Sequence, residues 1–293
     1  LNFLRLRKYI HRENIIFSEL HIKRHIKPVL KVFSFSVVTS IYLQLNTVLL
    51  GFLKNALAVG YFAAATKVMQ MLLQMSSCLG SVMMPRASHL IAENKESEFN
   101  TLIQKSYDFT LAIAMPMTVG LIFCAPSLIT ALCGAKFENS ILPSQIIAPI
   151  ILMVAISNVF GIQVLFPKGK INIVTLCCAI GAVTDLILNL CLIPFFSYIG
   201  TAIAYLGAEV ATTVSMYFIG RKYLSITYFK RNHLNYLLGC ILMAIALYAI
   251  GKLQFPTLTI LILQGCCGIL VYFLVLCLRK DAFLMQVLSK IKK

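Results

Sequence analysis

The stretch that decides the fold is residues 59–85, VGYFAAATKVMQMLLQMSSCLGSVMMP. At about 1.5 Å per residue, a helix of this length spans the roughly 30 Å hydrocarbon layer of a bilayer. Small and polar residues recur along it at alternating steps of three and four: Gly60, Ala63, Lys67, Gln70, Gln74, Ser77 and Ser81. The stretch is therefore predicted to be a membrane-spanning helix with one polar face.

The lysine in this helix points to a function. A lysine inside a span costs about 2.5–3.5 kcal/mol unless it faces protein or water. Because Lys67 shares its face with Gln70 and Gln74, we predict that these three residues line an internal cavity and bind substrate. The alternative is a seam between helices, in which Lys67 reaches the membrane surface or pairs with a carboxylate.

The rest of the chain repeats the apolar pattern. With 59% hydrophobic and 12% charged residues and a mean hydropathy of +0.87, the chain is too apolar for a soluble domain. Its apolar runs are continuous and about twenty residues long, whereas a membrane β-barrel needs alternating strands of about ten. We predict an all-α polytopic membrane protein with about eight transmembrane helices. The predicted spans are residues 29–53, 59–84, 106–133, 141–166, 171–195, 199–220, 234–251 and 257–278.

The net charge of +16 follows the predicted topology. In the segments before, between and after the spans, the Lys and Arg counts alternate between high and low without a break, with 21 on one side, 3 on the other, and Lys31 and Lys67 inside spans. Basic residues concentrate on the cytoplasmic side of membrane proteins. We therefore predict that both termini are cytoplasmic and that the charge meets lipid headgroups rather than nucleic acid.

The same pattern divides the chain into segments. We expect a basic cytoplasmic segment (1–28), a six-helix transmembrane lobe (29–220), a basic cytoplasmic loop that separates it from the rest (221–233), an additional two-helix pair (234–278) and a basic cytoplasmic tail (279–293). The chain begins with Leu, and a truncated start is expected.

Two carboxylates lie deep inside predicted spans. Asp185 and Asn189 stand one turn apart in the fifth span, and Glu209 lies in the middle of the sixth. Counted from the predicted outer ends, these carboxylates and Lys67 lie at similar depths. Three interpretations of these charged residues are possible. One carboxylate pairs with Lys67 for structural reasons, a carboxylate binds a proton or a sodium ion, or Lys67 binds an anionic ligand.

An ion site needs oxygen ligands around the carboxylate. Asp185 and Asn189 supply some of these, and Thr212 or Thr213 on the next span supplies hydroxyls. The coupling ion would be Na⁺ or H⁺.

The third span contains a predicted hinge, where Pro116 removes a backbone hydrogen bond and Gly120 follows one turn later. No motif of a soluble catalytic site is present in the sequence. The ten cysteines all lie in predicted spans without a C-x-x-C pair, so neither a metal site nor a cofactor is expected. We predict that the protein is not an enzyme.

Several short motifs resemble one known family. They are VGYFAAATK (59–67), MPRAS (84–88), AMP with a following glycine (114–120), CGAKF (133–137), QVLFPKGK (163–170), NLCLIP (189–194) and GTAIA (200–204). In the same order, these motifs resemble the polysaccharide biosynthesis flippases, the Wzx-type transporters of O-antigen or capsule repeat units. The resemblance runs from about residue 29 to residue 223.

This family is part of the multidrug/oligosaccharidyl-lipid/polysaccharide exporter superfamily, whose members typically have two six-helix lobes and often two additional helices. The resemblance implies that the chain holds the second lobe and the additional pair. It implies a flippase in the bacterial inner membrane that moves undecaprenyl-diphosphate-linked oligosaccharide to the periplasmic leaflet by cation-coupled alternating access. Its partners would be membrane lipids and the polysaccharide polymerase machinery.

The resemblance also assigns roles to residues. Lys67 falls where a cationic residue would meet the diphosphate. In related lipid flippases a cation site corresponds here to Asn46, Asp185, Asn189 and Thr212 or Thr213, although an acidic residue is common near the position of Asn46. Two other functions remain open: a multidrug or small-molecule exporter of the same superfamily, and a membrane-embedded polysaccharide polymerase or glycosyltransferase.

Overall fold

The computed structural model describes residues 22–279, with the side chains of residues 22–25, 27, 28, 31, 42, 43 and 76–82 left out. Within that range the chain is helical and contains no strand, so the predicted fold class is confirmed. The α-helices are α1 (Ile22–Leu53), α2 (Ala56–Ala92), α3 (Glu96–Cys133), α4 (Ile141–Ile147), α5 (Ile150–Asn158), α6 (Ile171–Gly220), α7 (Arg231–Gly251) and α8 (Thr257–Leu278). Most of the predicted terminal segments, 1–28 and 279–293, lie outside the described residues.

Helix α6 is a hairpin of two antiparallel arms, residues 171–196 and 198–220. The chain reverses at Ser197, whose φ of 52° and ψ of −131° are not helical. A Cβ on Gly200 would lie 2.6 Å from the carbonyl oxygen of Leu192, and one on Gly207 would lie 2.7 Å from Leu188 Cδ1. In a straight helix, residues 188 and 207 would be about 28 Å apart. The turn therefore needs glycine at position 200, and α6 supplies two spans.

This hairpin reconciles the predicted and observed number of spans. Six helices are long and apolar enough to cross a membrane, and a seventh span arises if the segments Ala135–Ile147 and Ile150–Leu165, bent by 43°, count as one. Because α6 is 50 residues long and reverses in the middle, it contributes a further pass. The total of eight agrees with the prediction.

The fourth predicted span is irregular rather than one straight helix. A 3₁₀ segment (Ala135–Ser140) precedes α4, and α5 continues into a π-helical segment (Val159–Leu165). The wider turn places Phe160, Gln163 and Val164 in the interior, where all three are buried. π-Helical segments of this kind are often found at functional sites.

At each end of the molecule, a lysine side chain contacts a part of the chain that is distant in sequence. At one end, which we call the basic end, Lys168 Nζ lies 3.5 Å from Glu96 Oε1 and donates to the carbonyl oxygen of Tyr223. At the opposite end, Lys54 Nζ donates to the carbonyl oxygen of Pro194 at 2.9 Å. The two ends match the basic and the basic-poor sides of the charge pattern.

The additional pair α7–α8 packs along α3. Met243 of α7 lies next to Gly120, and Tyr272 of α8 donates from its hydroxyl to the Ala112 carbonyl oxygen at 2.7 Å. The outer faces of the pair are apolar and exposed, as at Ile269, where 71% of the residue is accessible. Such faces suit contact with lipid chains.

Candidate functional site

The predicted polar stripe of α2 lies on the outside of this lobe. Phe62 and Met69 are buried against the neighbouring helices, whereas Lys67, Gln70 and Gln74 are exposed. Two methionines share the exposed side, with 60% of Met71 and 68% of Met75 accessible. Positions 67, 70, 71, 74 and 75 follow a helical spacing, so they form one surface, which we call the open face of α2. Ser77 and Ser81 of the predicted stripe lie outside the described side chains.

Lys67 is not part of a charge pair within this lobe. Among the described residues, none of the ion pairs involves Lys67. The interpretation in which Lys67 meets Asp185 or Glu209 is therefore wrong. Both carboxylates lie in the interior, 0% and 5% exposed, while the lysine points to the other side of α2.

Asn46, Asp185 and Asn189 form a buried cluster, which we call the amide–carboxylate cluster. Asn46 Nδ2 donates to Asp185 Oδ2 at 3.0 Å, and Asn189 Nδ2 donates to Asp185 Oδ1 at 3.0 Å. Asn189 Nδ2 also reaches Asn46 Oδ1 at 2.9 Å. The three residues are at most 2% exposed. The one-turn spacing of Asp185 and Asn189 on α6 brings both to Asn46 on α1, as the resemblance implied.

The cluster contains a buried carboxyl group and an unused acceptor. The ion pairs in the described part of the chain include none to Asp185, so amide groups alone hold its carboxylate. Asn189 Oδ1 is buried without a hydrogen-bond donor among those residues. A buried carboxylate held only by neutral groups favours either a proton or a bound cation. The oxygens of these three side chains suit Na⁺ or H⁺, so the residues fit the predicted coupling ion.

Thr212 and Thr213 direct their hydroxyls to backbone carbonyl oxygens rather than to this cluster. The Thr212 hydroxyl donates to the Ala208 carbonyl oxygen at 3.0 Å, and the Thr213 hydroxyl donates to the Met153 carbonyl oxygen at 3.1 Å, on α5. Glu209 is buried on the second arm of α6. The structure therefore brings three of the six predicted ion-coupling residues together, and the roles of the other three stay predictions.

Gly181 and Tyr205 connect the two arms of α6 beside the cluster. Gly181 lies one turn before Asp185, and a Cβ at this position would overlap the Thr212 hydroxyl oxygen. Tyr205 is buried, and the Asp185 and Glu209 carboxylates both lie close enough to act on its hydroxyl electrostatically. The close approach at Gly181 lets the second arm pack directly against the arm that carries Asp185.

The predicted hinge residues lie in a continuous helix. Helix α3 runs from Glu96 to Cys133 through Pro116. A Cβ on Gly120 would lie 3.5 Å from Met243 Cε, so this glycine lies at the contact with α7. A hinge at Pro116 and Gly120 stays a prediction.

A polar network at the basic end was missed by the sequence reasoning. Asp108 Oδ2 accepts from Lys230 Nζ at 2.7 Å, and Asp108 Oδ1 lies 3.1 Å from His233 Nε2. Gln104 also donates to Asp108 and pairs with the backbone of Thr227. We call these five residues the Asp108 network. Its sequence signal was a charged residue inside the predicted span 106–133.

This network changes the interpretation of the loop before α7. The sequence predicted residues 221–233 to be a separator between the lobe and the additional pair, but their side chains and backbone bind α3. Tyr228 packs among Tyr107, Phe160 and Tyr217, and burial raises the pKa of its hydroxyl. The loop is therefore an integral part of the packed basic end.

Together, the eight passes, the open polar face and the buried carboxyl group define a polytopic helical membrane protein. A family described as polysaccharide biosynthesis protein matches residues 6–142. A protein assigned as an O-antigen transporter in Escherichia coli (strain K12) is 26% identical over 196 residues, which cover 67% of this chain and 47% of that protein. A protein with the same assignment in Shigella dysenteriae is 28% identical over 61% of this chain and 44% of its own length. The predicted resemblance to Wzx-type flippases is confirmed.

The fold has a solved counterpart. The lipid II flippase MurJ, in an inward closed conformation, superimposes with a TM-score of 0.75 at 18% identity, over 95% of this chain and 59% of that one. At this identity the comparison shows the fold alone. The chain spans about half the length of the two O-antigen transporters it matches. Since these relatives are transporters, they agree with the prediction that the protein is not an enzyme.

Proposed function

We propose that this chain acts in a flippase that moves undecaprenyl-diphosphate-linked oligosaccharide repeat units from the cytoplasmic to the periplasmic leaflet for surface polysaccharide biosynthesis. The observation that carries the proposal is the open face of α2, where Lys67 lies exposed between apolar turns of a membrane-spanning helix. Against lipid this lysine would be costly, so the face is best explained as one wall of a water-filled substrate path.

The chemistry of the open face suits a lipid-linked sugar diphosphate. The Lys67 ammonium is a strong point-charge donor for phosphate oxygens. Gln70 and Gln74 follow on the same side and offer amide groups to sugar hydroxyls. In this proposal the other wall of the path comes from a first six-helix lobe, with this chain supplying the second lobe and the additional pair.

The amide–carboxylate cluster is proposed as the site of the coupling ion. Its carboxylate, Asp185, belongs to α6, whereas Asn46 belongs to α1, so ion binding acts on the contact between these two helices. A bound Na⁺ or H⁺ would neutralise Asp185 and hold the helices together, and its release would favour their separation. A ligand shifts a conformational equilibrium only through such differential binding.

The cellular setting of the proposal follows from the charge pattern. We place the protein in the bacterial inner membrane, with the basic end and both termini on the cytoplasmic side. On the periplasmic side, the delivered repeat units would pass to the polysaccharide polymerase machinery.

The test replaces Lys67 in cells that lack the native gene. Lys67→Ala should leave lipid-linked repeat units in the cytoplasmic leaflet and deplete surface polysaccharide, while Lys67→Arg should retain part of the activity because the charge remains. Lys136→Ala is the matched control, since Lys136 is also exposed but lies in the connection after α3. Normal surface polysaccharide with Lys67→Ala at wild-type protein levels would contradict the proposal.

The rival functions make different predictions. An exporter of small molecules would confer drug resistance and leave surface polysaccharide unchanged when the gene is deleted. A polymerase or glycosyltransferase would need a large outer loop for sugar chemistry. Within residues 22–279, the connections at the end opposite the basic end are short, for example residues 134–140 and 252–256, which disfavours the enzyme.

A further inference from the structure

Helix α3 carries a row of attachment points for the rest of the basic end and for the additional pair. Gln104, Asp108 and Ala112 lie four residues apart, so they fall close to one face of the helix. Gln104 binds the loop, Asp108 binds the start of α7, and the Ala112 carbonyl binds α8. Three consecutive turns of α3 thus contact three consecutive parts of the chain after α6.

The Ala112 carbonyl is available because of Pro116. In an α-helix this oxygen would accept from the backbone N–H of residue 116, four positions later, but proline has no such hydrogen. The Tyr272 hydroxyl supplies the missing donor at 2.7 Å, and Tyr272 is 9% exposed. Neighbouring helices commonly satisfy carbonyls freed by proline inside membranes. Pro116 therefore creates the acceptor by which α8 attaches.

The Asp108 network provides the second attachment. The Gln104 side chain donates to the Thr227 carbonyl oxygen at 3.2 Å and accepts from the Thr227 N–H at 2.8 Å. Its amide thus satisfies both backbone groups of Thr227, as a neighbouring β-strand would. His233 Nδ1 accepts from the backbone N–H of Lys230, which leaves Nε2 to donate to Asp108. The side chain of His233 is 6% exposed and stacks on Tyr236 at 5.8 Å between ring centroids. The start of α7 is thus fixed by charge, backbone and ring contacts together.

We propose that these two attachments lock α7–α8 to α3, so that the three helices move as one body while the transporter changes conformation. The movement itself rests on the proposed function, but the lock does not. In this proposal Pro116 positions Tyr272 instead of acting as a hinge. Tyr272 and Asp108 are positioning residues, since neither lies on the open face of α2.

A double-mutant cycle tests the role of Pro116 without any transport assay. Tyr272→Phe should lower the melting temperature of the purified protein, because the buried Ala112 carbonyl then has no donor. In a Pro116→Ala background the same change should lower it much less, since the backbone N–H restored at position 116 bonds to that carbonyl. Equal losses in the two backgrounds would overturn the proposed role of Pro116.

A reversible cross-link tests the movement. With Gln104→Cys and Thr227→Cys joined by a short bis-methanethiosulfonate, the linked protein should transport as fast as the same protein after reduction. Loss of transport on linking, with recovery on reduction, would overturn the proposal, because the loop would then have to open. The wild-type protein treated in parallel controls for its native cysteines. If the wild type shows no transport either, the proposed function fails instead.

Amide hydrogen exchange tests the attachment of the loop and α7 without introduced cysteines and without a transport assay. Asp108→Asn should speed amide exchange in residues 224–236 by about tenfold or more, since it removes a charged acceptor from Lys230, His233 and Gln104. Exchange in α1 should stay unchanged, because the hydrogen bonds and ion pairs of the described side chains include none between α1 and the Asp108 network. Unchanged exchange in residues 224–236 would overturn the lock.

Discussion

Two aspartates in this protein differ in what surrounds them. Asp185 is fully buried between two asparagine amides, and the described part of the chain offers it no ion pair. Asp108 is 20% exposed in its side chain and has both Lys230 and His233 beside it. The Lys230 ammonium is a cationic partner that accounts for the Asp108 carboxylate, whereas a buried carboxylate without such a partner favours a bound proton or cation. The comparison supports a structural role for Asp108 and the proposed ion-coupling role for Asp185.

The largest effect should come from Asp185→Asn. This change removes the charge but keeps the shape, so the protein should fold while transport loses its dependence on the pH or sodium gradient. Transport into vesicles with and without each gradient measures this. Unchanged gradient dependence would make Asp185 as structural as Asp108.

A second variant makes the stability of the amide–carboxylate cluster depend more strongly on a bound cation or proton. Asn46→Asp places another carboxylate beside Asp185, and two like charges in one buried site are unfavourable unless a cation lies between them. The melting temperature of this variant should therefore rise with Na⁺ or with falling pH more than that of the wild type. Thermal unfolding over a range of Na⁺ concentrations and pH values checks this, with choline as the control cation.

Asp108→Asn should have a smaller and different effect. Losing charged hydrogen bonds at the basic end should lower the stability by about 1.5–3 kcal/mol. Its transport should keep the gradient dependence of the wild type, because the proposed ion site lies in the amide–carboxylate cluster and not at Asp108. Thermal unfolding and the gradient assay together check this, and a lost gradient dependence would break the contrast between the two aspartates.

Gly181→Ala tests the packing beside Asp185. The added methyl group overlaps the Thr212 hydroxyl oxygen, so the two arms of α6 must shift at a cost of about 1–3 kcal/mol. Thr212→Ala should relieve part of this loss when combined with it, and thermal unfolding of the single and double variants checks the coupling.

The smallest effect should come from Lys95→Ala. Lys95 Nζ lies 3.0 Å from Glu93 Oε2 at the turn between α2 and α3, and this contact holds the pKa of Glu93 below its ordinary value. Both side chains are exposed to solvent, and exposed ion pairs contribute little. Transport and melting temperature should match the wild type, which distinguishes this pair from the Asp108 network.

The sequence predicted the features that depend on local pattern. Apolar run length and charge alternation predicted eight passes, because each span must satisfy its own backbone in lipid. The one-turn spacing of Asp185 and Asn189 predicted their shared face. The pairing of both with Asn46 came from the resemblance to known flippases, since these residues lie more than 130 positions from Asn46 in the chain.

What the sequence did not predict depends on tertiary packing. Periodicity identified a polar stripe on α2, but it did not show which side the other helices would cover or that Met71 and Met75 would join Lys67. The Asp108 network joins residues more than 120 positions apart through a loop with no regular pattern. The hydrogen bond from Tyr272 to the Ala112 carbonyl joins residues 160 positions apart, so no local pattern indicated it.

The reversal of α6 at Ser197 determines where this protein can be labelled. The chain turns there without a loop, Gly200 touches the backbone of Leu192, and Lys54 contacts the Pro194 carbonyl. An inserted epitope or fluorescent tag would have to break all these contacts. The connection at residues 252–256 is exposed at the same end and carries no such contacts, so a tag for mapping sidedness belongs there.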